Sequence, residues 1–382
     1  MKVINGILRI VKCCGFIMII ILSCFKTYCS ANENKGEFHP VETNQIPEVL
    51  NMISNKVLSN YGRIKTWQGK TEVISDYLYE GANAEQTFKD NINEQGKIPK
   101  ILKKRGCLAR EFVLDTENDL LYVKTFSEKP IEYADLEDGR NFRTVLPSSG
   151  ISIMTPRYYI YTRADTMHNG VVINQTALKE FRNKCSTCGT PPIFDPRQEL
   201  ESSLKITQRP FSRIIKEIRE PKENKMDGGL QKLEERIKDS IIEYRITIST
   251  RLTLNSDDPN HIFLSYVFSS DKGFNMVYEE STLHNPKGER LDQKRIWDYD
   301  LIDGIYVLAK TNVQNYSWNT GNLTYENTEI YSNAKINKPV SSEIFNYKNL
   351  GLKNGDKFID KIEGKEYKYK DANLIFVADV NK

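Results

Sequence analysis

The chain has 382 residues, 39% of them hydrophobic and 27% charged, which is the balance of an ordinary globular protein. Its formal charge of +3 is concentrated at the start: residues 1–31 hold Lys2, Arg9, Lys12 and Lys26 and no acidic residue, which leaves the remainder at −1. A near-neutral body offers no general basic footprint for nucleic acid.

Residues 1–31 read as a signal peptide. A basic region through Lys12 precedes the apolar run Cys13–Phe25, too short for a typical spanning helix, and small residues follow at Ser30 and Ala31. Cleavage after Ala31 would release an exported, periplasmic protein. The alternative is lipoprotein processing: ILSC (Ile21–Cys24) loosely resembles a lipobox, with Leu22 atypical for its place, and lipidation at Cys24 would anchor the chain to a membrane. Residues 32–45 are polar and read as a flexible linker.

In the next segment Ile46, Val49, Leu50, Ile53, Val57 and Tyr61 fall at helical spacing, with Pro47 near the start where its missing N–H does no harm. This predicts one amphipathic helix that packs on a sheet. Strands are predicted at 66–77, 108–114, 120–126, 141–146 and 157–162, separated by turn signals, and the polar stretch 86–104 reads as a mobile excursion. Residues 176–240 read as a helical insert. Leu200, Leu204, Phe211, Ile214, Ile215 and Ile218 suggest two short helices divided near Pro210, and the charged run Leu230–Ser240 suggests a solvated helix with i,i+4 pairs.

The stretch Tyr244–Tyr331 has almost no helix potential. Tyr244, Ile246, Ile248, Leu252 and Leu254 alternate with Arg245, Thr247, Ser249, Arg251 and Thr253, with Thr250 the one polar residue on the apolar side. Side chains of a strand point alternately to opposite faces, so this strand has one dry and one wet face. Further strands are predicted at 262–268, 274–281, 294–300, 305–316 and 323–331, with turns at intervals of about a dozen residues that fit an antiparallel meander.

The chemistry-bearing motifs are sparse. Cys185-x-x-Cys188 lacks the parallel βαβ context of a redox site, the following His of a haem site and the second pair of a zinc site. In an exported chain it reads as a disulfide candidate, either internal or with Cys107. The histidines, His39, His168, His261 and His284, are scattered near turns, and no nucleophile elbow occurs. Asp298 and Asp300 share a strand face, as a glycosidase pair would, but solvent-facing strand residues account for them equally. No catalytic residue, metal site or cofactor is predicted.

The C-terminal third carries a resemblance. The segments WDYDLIDGIYV (Trp297–Val307), IYSNAKINKP (Ile330–Pro339), FNYKNLGLKNGD (Phe345–Asp356) and GKEYKY (Gly364–Tyr369), in this order, resemble the closing section of periplasmic proteins related to the LolA/LolB outer-membrane lipoprotein carriers. The resemblance implies an α+β fold over residues 46–382, in which an incomplete antiparallel β-barrel wraps around a helical lid. It also implies a non-enzymatic role, binding a lipid or lipidated protein with transient contact to envelope membranes. The candidate cavity residues are Tyr244, Ile246, Ile248, Leu252, Ile262, Leu264 and Tyr266 on the sheet, with Phe211, Ile214 and Ile218 on the lid. The alternative is an envelope interaction module of the same fold with a closed core.

Overall fold

The computed structural model describes residues 36–92, 97–127, 129–144, 149–156, 159–162, 170–174, 230–251, 261–285, 288–317, 319–360 and 363–379. The expected signal peptide with Cys24, residues 176–229 of the expected insert (176–240) with Cys185, Cys188, Phe211, Ile214 and Ile218, and Leu252 all lie outside the described residues.

The N-terminal elements are β1 (His39–Pro40), α1 (Ile46–Gly62), β2 (Thr66–Glu80), α2 (Ala82–Asn91), β3 (Ile101–Asp115) and β4 (Leu120–Phe126). Five shorter strands follow: β5 (Ile131–Asp135), β6 (Asn141–Thr144), β7 (Ser149–Met154), β8 (Tyr159–Thr162) and β9 (Gly170–Asn174). The second block runs β10 (Leu230–Lys238), β11 (Ile241–Arg251), β12 (His261–Ser269), β13 (Asn275–Asn285), β14 (Gly288–Ile302), β15 (Ile305–Tyr316) and β16 (Leu323–Ile336). Three strands end the chain: β17 (Lys357–Asp360), β18 (Lys365–Lys370) and β19 (Asn373–Asp379).

All nineteen strands belong to one open sheet. β10 to β16 form an antiparallel meander, and β16 then pairs with β2, so the early hairpin β2–β3 adds to the late meander. β3 forks, with Ala109–Asp115 pairing β4 and Leu102–Arg105 pairing β5. Beyond β4 the order is β7, β8, β9, and β9 joins β17 in a parallel pair.

The main core lies on the sheet face that α1 covers, hereafter the inner face. Leu50, Ile53 and Val57 of α1 are buried, and Ile46, Val49 and Tyr61 pack beside them, so the amphipathic stripe does what its spacing predicts. The helix is also clamped at its C-terminal end, where Asn60 Nδ2 donates to the Tyr306 carbonyl at 2.8 Å and its Oδ1 accepts from the Tyr306 N–H at 2.9 Å. One contiguous cluster runs from Leu233 on β10 to Leu121 and Val123 on β4, with α1 among them. Ten strands spaced about 4.8 Å apart would span roughly 45 Å if flat, whereas an α-helix is about 10 Å across, so the sheet curls around its helix. Glycine permits a close contact on this face: a Cβ at Gly69 would stand 3.1 Å from the Phe112 ring and 3.2 Å from the Ser332 carbonyl oxygen.

Three expectations are corrected. Leu230–Ser240 is not a helix, because residues Leu230–Lys238 form β10. Its charges pair across strands instead of along a helix: Glu234 with Arg245 at 2.7 Å and Arg236 with Glu243 at 2.6 Å, while Leu233 turns inward. The polar excursion 86–104 holds most of α2, whose Ala84 and Phe88 (i, i+4), with Ile92 just past its end, are buried with Leu102, Tyr133 and Phe142, and β3 begins at Ile101. Part of the lead-in read as flexible is tied down: Phe38 lies between the Arg236 and Arg245 guanidinium groups, each 4.3 Å from its ring centre, and β1 pairs with β10.

Candidate ligand-binding face

The strand register fixes which side chains share the inner face. On β11 and β12, Tyr244 stands opposite Phe268, Ile246 opposite Tyr266, and Ile248 opposite Leu264. With Ile262, these residues are all buried and belong to the main core. The structure therefore brings together the described sheet candidates, Tyr244, Ile246, Ile248, Ile262, Leu264 and Tyr266, on one dry surface. Trp297, Tyr299, Leu308, Tyr331, Trp67 and Phe112 extend that surface around the curl. Trp67 meets Phe112 edge to face with ring centres 5.5 Å apart, and Tyr299 Oη donates to the Met276 carbonyl at 2.6 Å.

The same face carries a polar band that the sequence reading missed. Along one row, Tyr266 faces Glu279, Glu279 faces Arg295, Arg295 faces Val313, Val313 faces Asn327 and Asn327 faces Ser75. A neighbouring row contains Ser281, Gln293, Asn315, Tyr325 and Tyr77. One hydrogen bond links the two rows, Arg295 Nε to Gln293 Oε1 at 3.0 Å, and others run along them, Gln293 Nε2 to Asn315 Oδ1 at 2.7 Å and Ser75 Oγ to Asn327 Oδ1 at 2.7 Å. The band ends in an aromatic shelf, with Tyr77 and Tyr325 rings 4.6 Å apart and Lys104 Nζ 5.5 Å above the Tyr77 ring.

Two carboxylates sit on this face in different surroundings. Glu329 accepts from Arg110 Nη1 at 3.3 Å and from the Tyr331 hydroxyl at 3.0 Å. Glu279 is 1% exposed, neither of its oxygens has a hydrogen-bond partner, and the Arg295 Nε is 4.0 Å away. Burial pushes the Glu279 carboxyl up to about 7, against the opposing pull of Arg295. The Tyr266 hydroxyl and the Thr311 Oγ1 are likewise buried without a partner.

Other singled-out residues lie elsewhere. Cys107 is a free, half-buried thiol on the outer face, its Sγ 3.5 Å from Glu72 Oε1, and burial raises its pKa with that contact adding to the effect. Asp298 is exposed and bonded to Lys272 at 2.8 Å, which holds its carboxyl below the usual range, and Asp300 is exposed, so the two do not form a sheltered acid–base pair. The pairing β12–β13 sets His261 directly opposite His284 in register, a proximity that scatter along the sequence conceals. Among the described residues no cluster of three or more His, Cys, Asp or Glu could hold a metal ion. No helix among them is long and apolar enough to cross a membrane.

No protein-family model matches the chain, and no curated protein does. Among solved structures it is similar to a DUF1329 family protein from Desulfovibrio piger, with 11% identity, 79% of this chain and 97% of that one covered, and a TM-score of 0.31. It is also similar to a putative outer membrane lipoprotein-sorting protein domain from Vibrio parahaemolyticus, with 10% identity, 78% and 97% covered, and a TM-score of 0.30. Overlaps of this size leave the role of the chain to be argued from its own residues.

Proposed function

We propose that this protein is a non-enzymatic envelope protein that binds a hydrophobic ligand, a lipid or the acyl chains of a lipoprotein, against its inner sheet face. The observation that carries this reading is the breadth of that apolar face. Strands β10 to β16 and β2 to β4 contribute to one inward-facing surface, and α1 is the single described helix in its core. Its residues are already shielded from water, so an acyl chain laid along Ile246, Ile248, Ile262 and Leu264 would take the place of part of their present packing. Binding would be passive, with about 0.8 kcal/mol gained for each methylene removed from water.

A second reading, an interaction module of the envelope with a filled core, is favoured by the burial of all six described sheet candidates, each at 8% exposure or less. Native mass spectrometry of the exported protein, with organic extraction of bound species, separates the two. A lipid or acylated peptide at near-unit ratio, or uptake of an acyl ligand on challenge, supports the carrier reading. A protein that is clean as isolated and takes up no acyl ligand overturns it.

A further inference from the structure

Buried polar atoms on the inner face without a hydrogen-bond partner include both carboxyl oxygens of Glu279, the Tyr266, Thr311 and Thr71 hydroxyls and Trp67 Nε1. Those of Glu279 and Tyr266 stand together. Tyr266 and Arg295 flank Glu279 directly across the strands, and Thr311 faces Trp297, the residue two positions beyond Arg295 on β14. Each residue is at most 2% exposed: Glu279 1%, Tyr266 2% and Thr311 2%. Buried polar atoms in native proteins are nearly always paired, with protein, water or ligand, so the facing pair Tyr266–Glu279 is a place suited to hold a hydrogen-bonding group.

The charge of the surroundings selects the occupant. The charged and titratable groups facing Glu279 from the neighbouring strands are Tyr266 on β12 and Arg295 on β14. With Glu279 ionised, it and Arg295 cancel formally. A cationic ligand group would leave a net positive charge in the interior, and an anionic one a net negative charge, and either costs more than a neutral group. What the site lacks is hydrogen bonds: donors to the carboxylate, and partners for two hydroxyls that both donate and accept. A neutral vicinal diol supplies both. The band also grades from Glu279 through half-buried Gln293, Arg295 and Asn315, so a polar head here leaves an attached chain beside the dry rows of Leu264 and Ile248.

We propose that the row Tyr266–Glu279–Arg295, with Thr311, is a head-group subsite for an acylated polyol, a lipid whose neutral hydroxyls bond to Glu279 while its chain lies on the dry half of the face. This rests on the acyl-binding reading above and names the polar end of that ligand.

The test compares two neutral probes with the same chain, 1-lauroylglycerol and methyl laurate, titrated into the full-length exported protein and its variants below their aggregation concentrations. With each added hydrogen bond contributing about 1 kcal/mol, the glyceride binds roughly tenfold tighter or better to the wild type. Glu279→Gln, which keeps the shape but loses the charge, and Tyr266→Phe, which removes one hydroxyl, each shrink the ratio of the two affinities severalfold. Tyr266→Phe serves as the check should the Gln variant fail to fold. Equal affinities in the wild type, as a polar pocket that only holds water would give, overturn the head-group subsite and leave acyl binding standing. A preference that survives both substitutions also overturns the subsite. Binding of neither probe overturns both readings.

Discussion

Glu279→Gln isolates the energetic cost of a buried carboxylate that no hydrogen bond meets. The native carboxyl sits at about 7 because burial disfavours its charged form, whereas an unfolded glutamate titrates near about 4.3. Folding therefore takes up a proton in the window between these values. Below it the group is neutral in both states and contributes no penalty. As pH rises through the window the unfolded state ionises first, and the native state loses stability until its own carboxyl ionises near 7. A difference of roughly 2.5 units corresponds to about 3 kcal/mol, as an order of magnitude, fully expressed above pH of about 7. The glutamine variant lacks this term. Urea unfolding of both proteins at acidic and at mildly alkaline pH, read as the variant-minus-wild-type difference, cancels the contributions of all other titrating groups. The expected result is a difference that becomes more favourable to the variant by up to about 3 kcal/mol as pH rises. A difference independent of pH would refute the reasoning.

Three further substitutions probe the frame that positions the face. Asn60→Ala removes both hydrogen bonds between α1 and Tyr306 and should cost about 2–4 kcal/mol in urea unfolding, since it orphans a backbone N–H and a carbonyl at a part-buried junction. Arg140→Ala strips Asp135, which is 1% exposed, of guanidinium bonds at 2.7 and 3.2 Å. Although burial opposes ionisation, Arg140 and the amides of Glu137 and Asp138 hold that carboxyl below its usual value, so the loss should be about 2–3 kcal/mol near neutral pH and shrink in acid. Gly69→Ala forces a methyl against Phe112 and the Ser332 carbonyl and should destabilise by about 1–3 kcal/mol, detectable as a lowered melting temperature.

The dry half of the face was legible because β11 alternates cleanly over Tyr244, Ile246 and Ile248, and α1 because its apolar residues keep helical spacing. The charged run at 230–238 misled because residues that are i,i+4 neighbours on a helix can equally be cross-strand partners; only the adjacency of β11 decides between them. α2 was hidden by its polar composition, with just Ala84, Phe88 and Ile92 to betray a buried stripe. The polar band was illegible for a topological reason. Bulges at Val267/Phe268, Ser281/Thr282 and Asp298/Tyr299 reset which residues point inward. The pairing of β16 with β2 then brings Arg110 to Glu329 across 219 positions of sequence.

The two inward-facing glutamates turn this difference in surroundings into a difference of sign. Glu329 is completed by the protein itself, through Arg110 and Tyr331. Replacing it with Gln weakens a charge-assisted bond and leaves a guanidinium, itself mostly buried at 18% exposure, with a neutral partner. That should cost about 1.5–3 kcal/mol near neutral pH. The same change at Glu279 removes a charge that no donor meets and should stabilise the unliganded protein under the same conditions. One chemical substitution, two positions on one sheet face and opposite effects in the same urea assay are what a finished structural pair and an unfinished binding site require. If both variants lose stability by similar amounts at mildly alkaline pH, Glu279 is satisfied in solution by something that travels with the protein, and bound species should then be sought in the material as purified. If both gain, the Arg110–Glu329 pair is not the structural element its geometry describes.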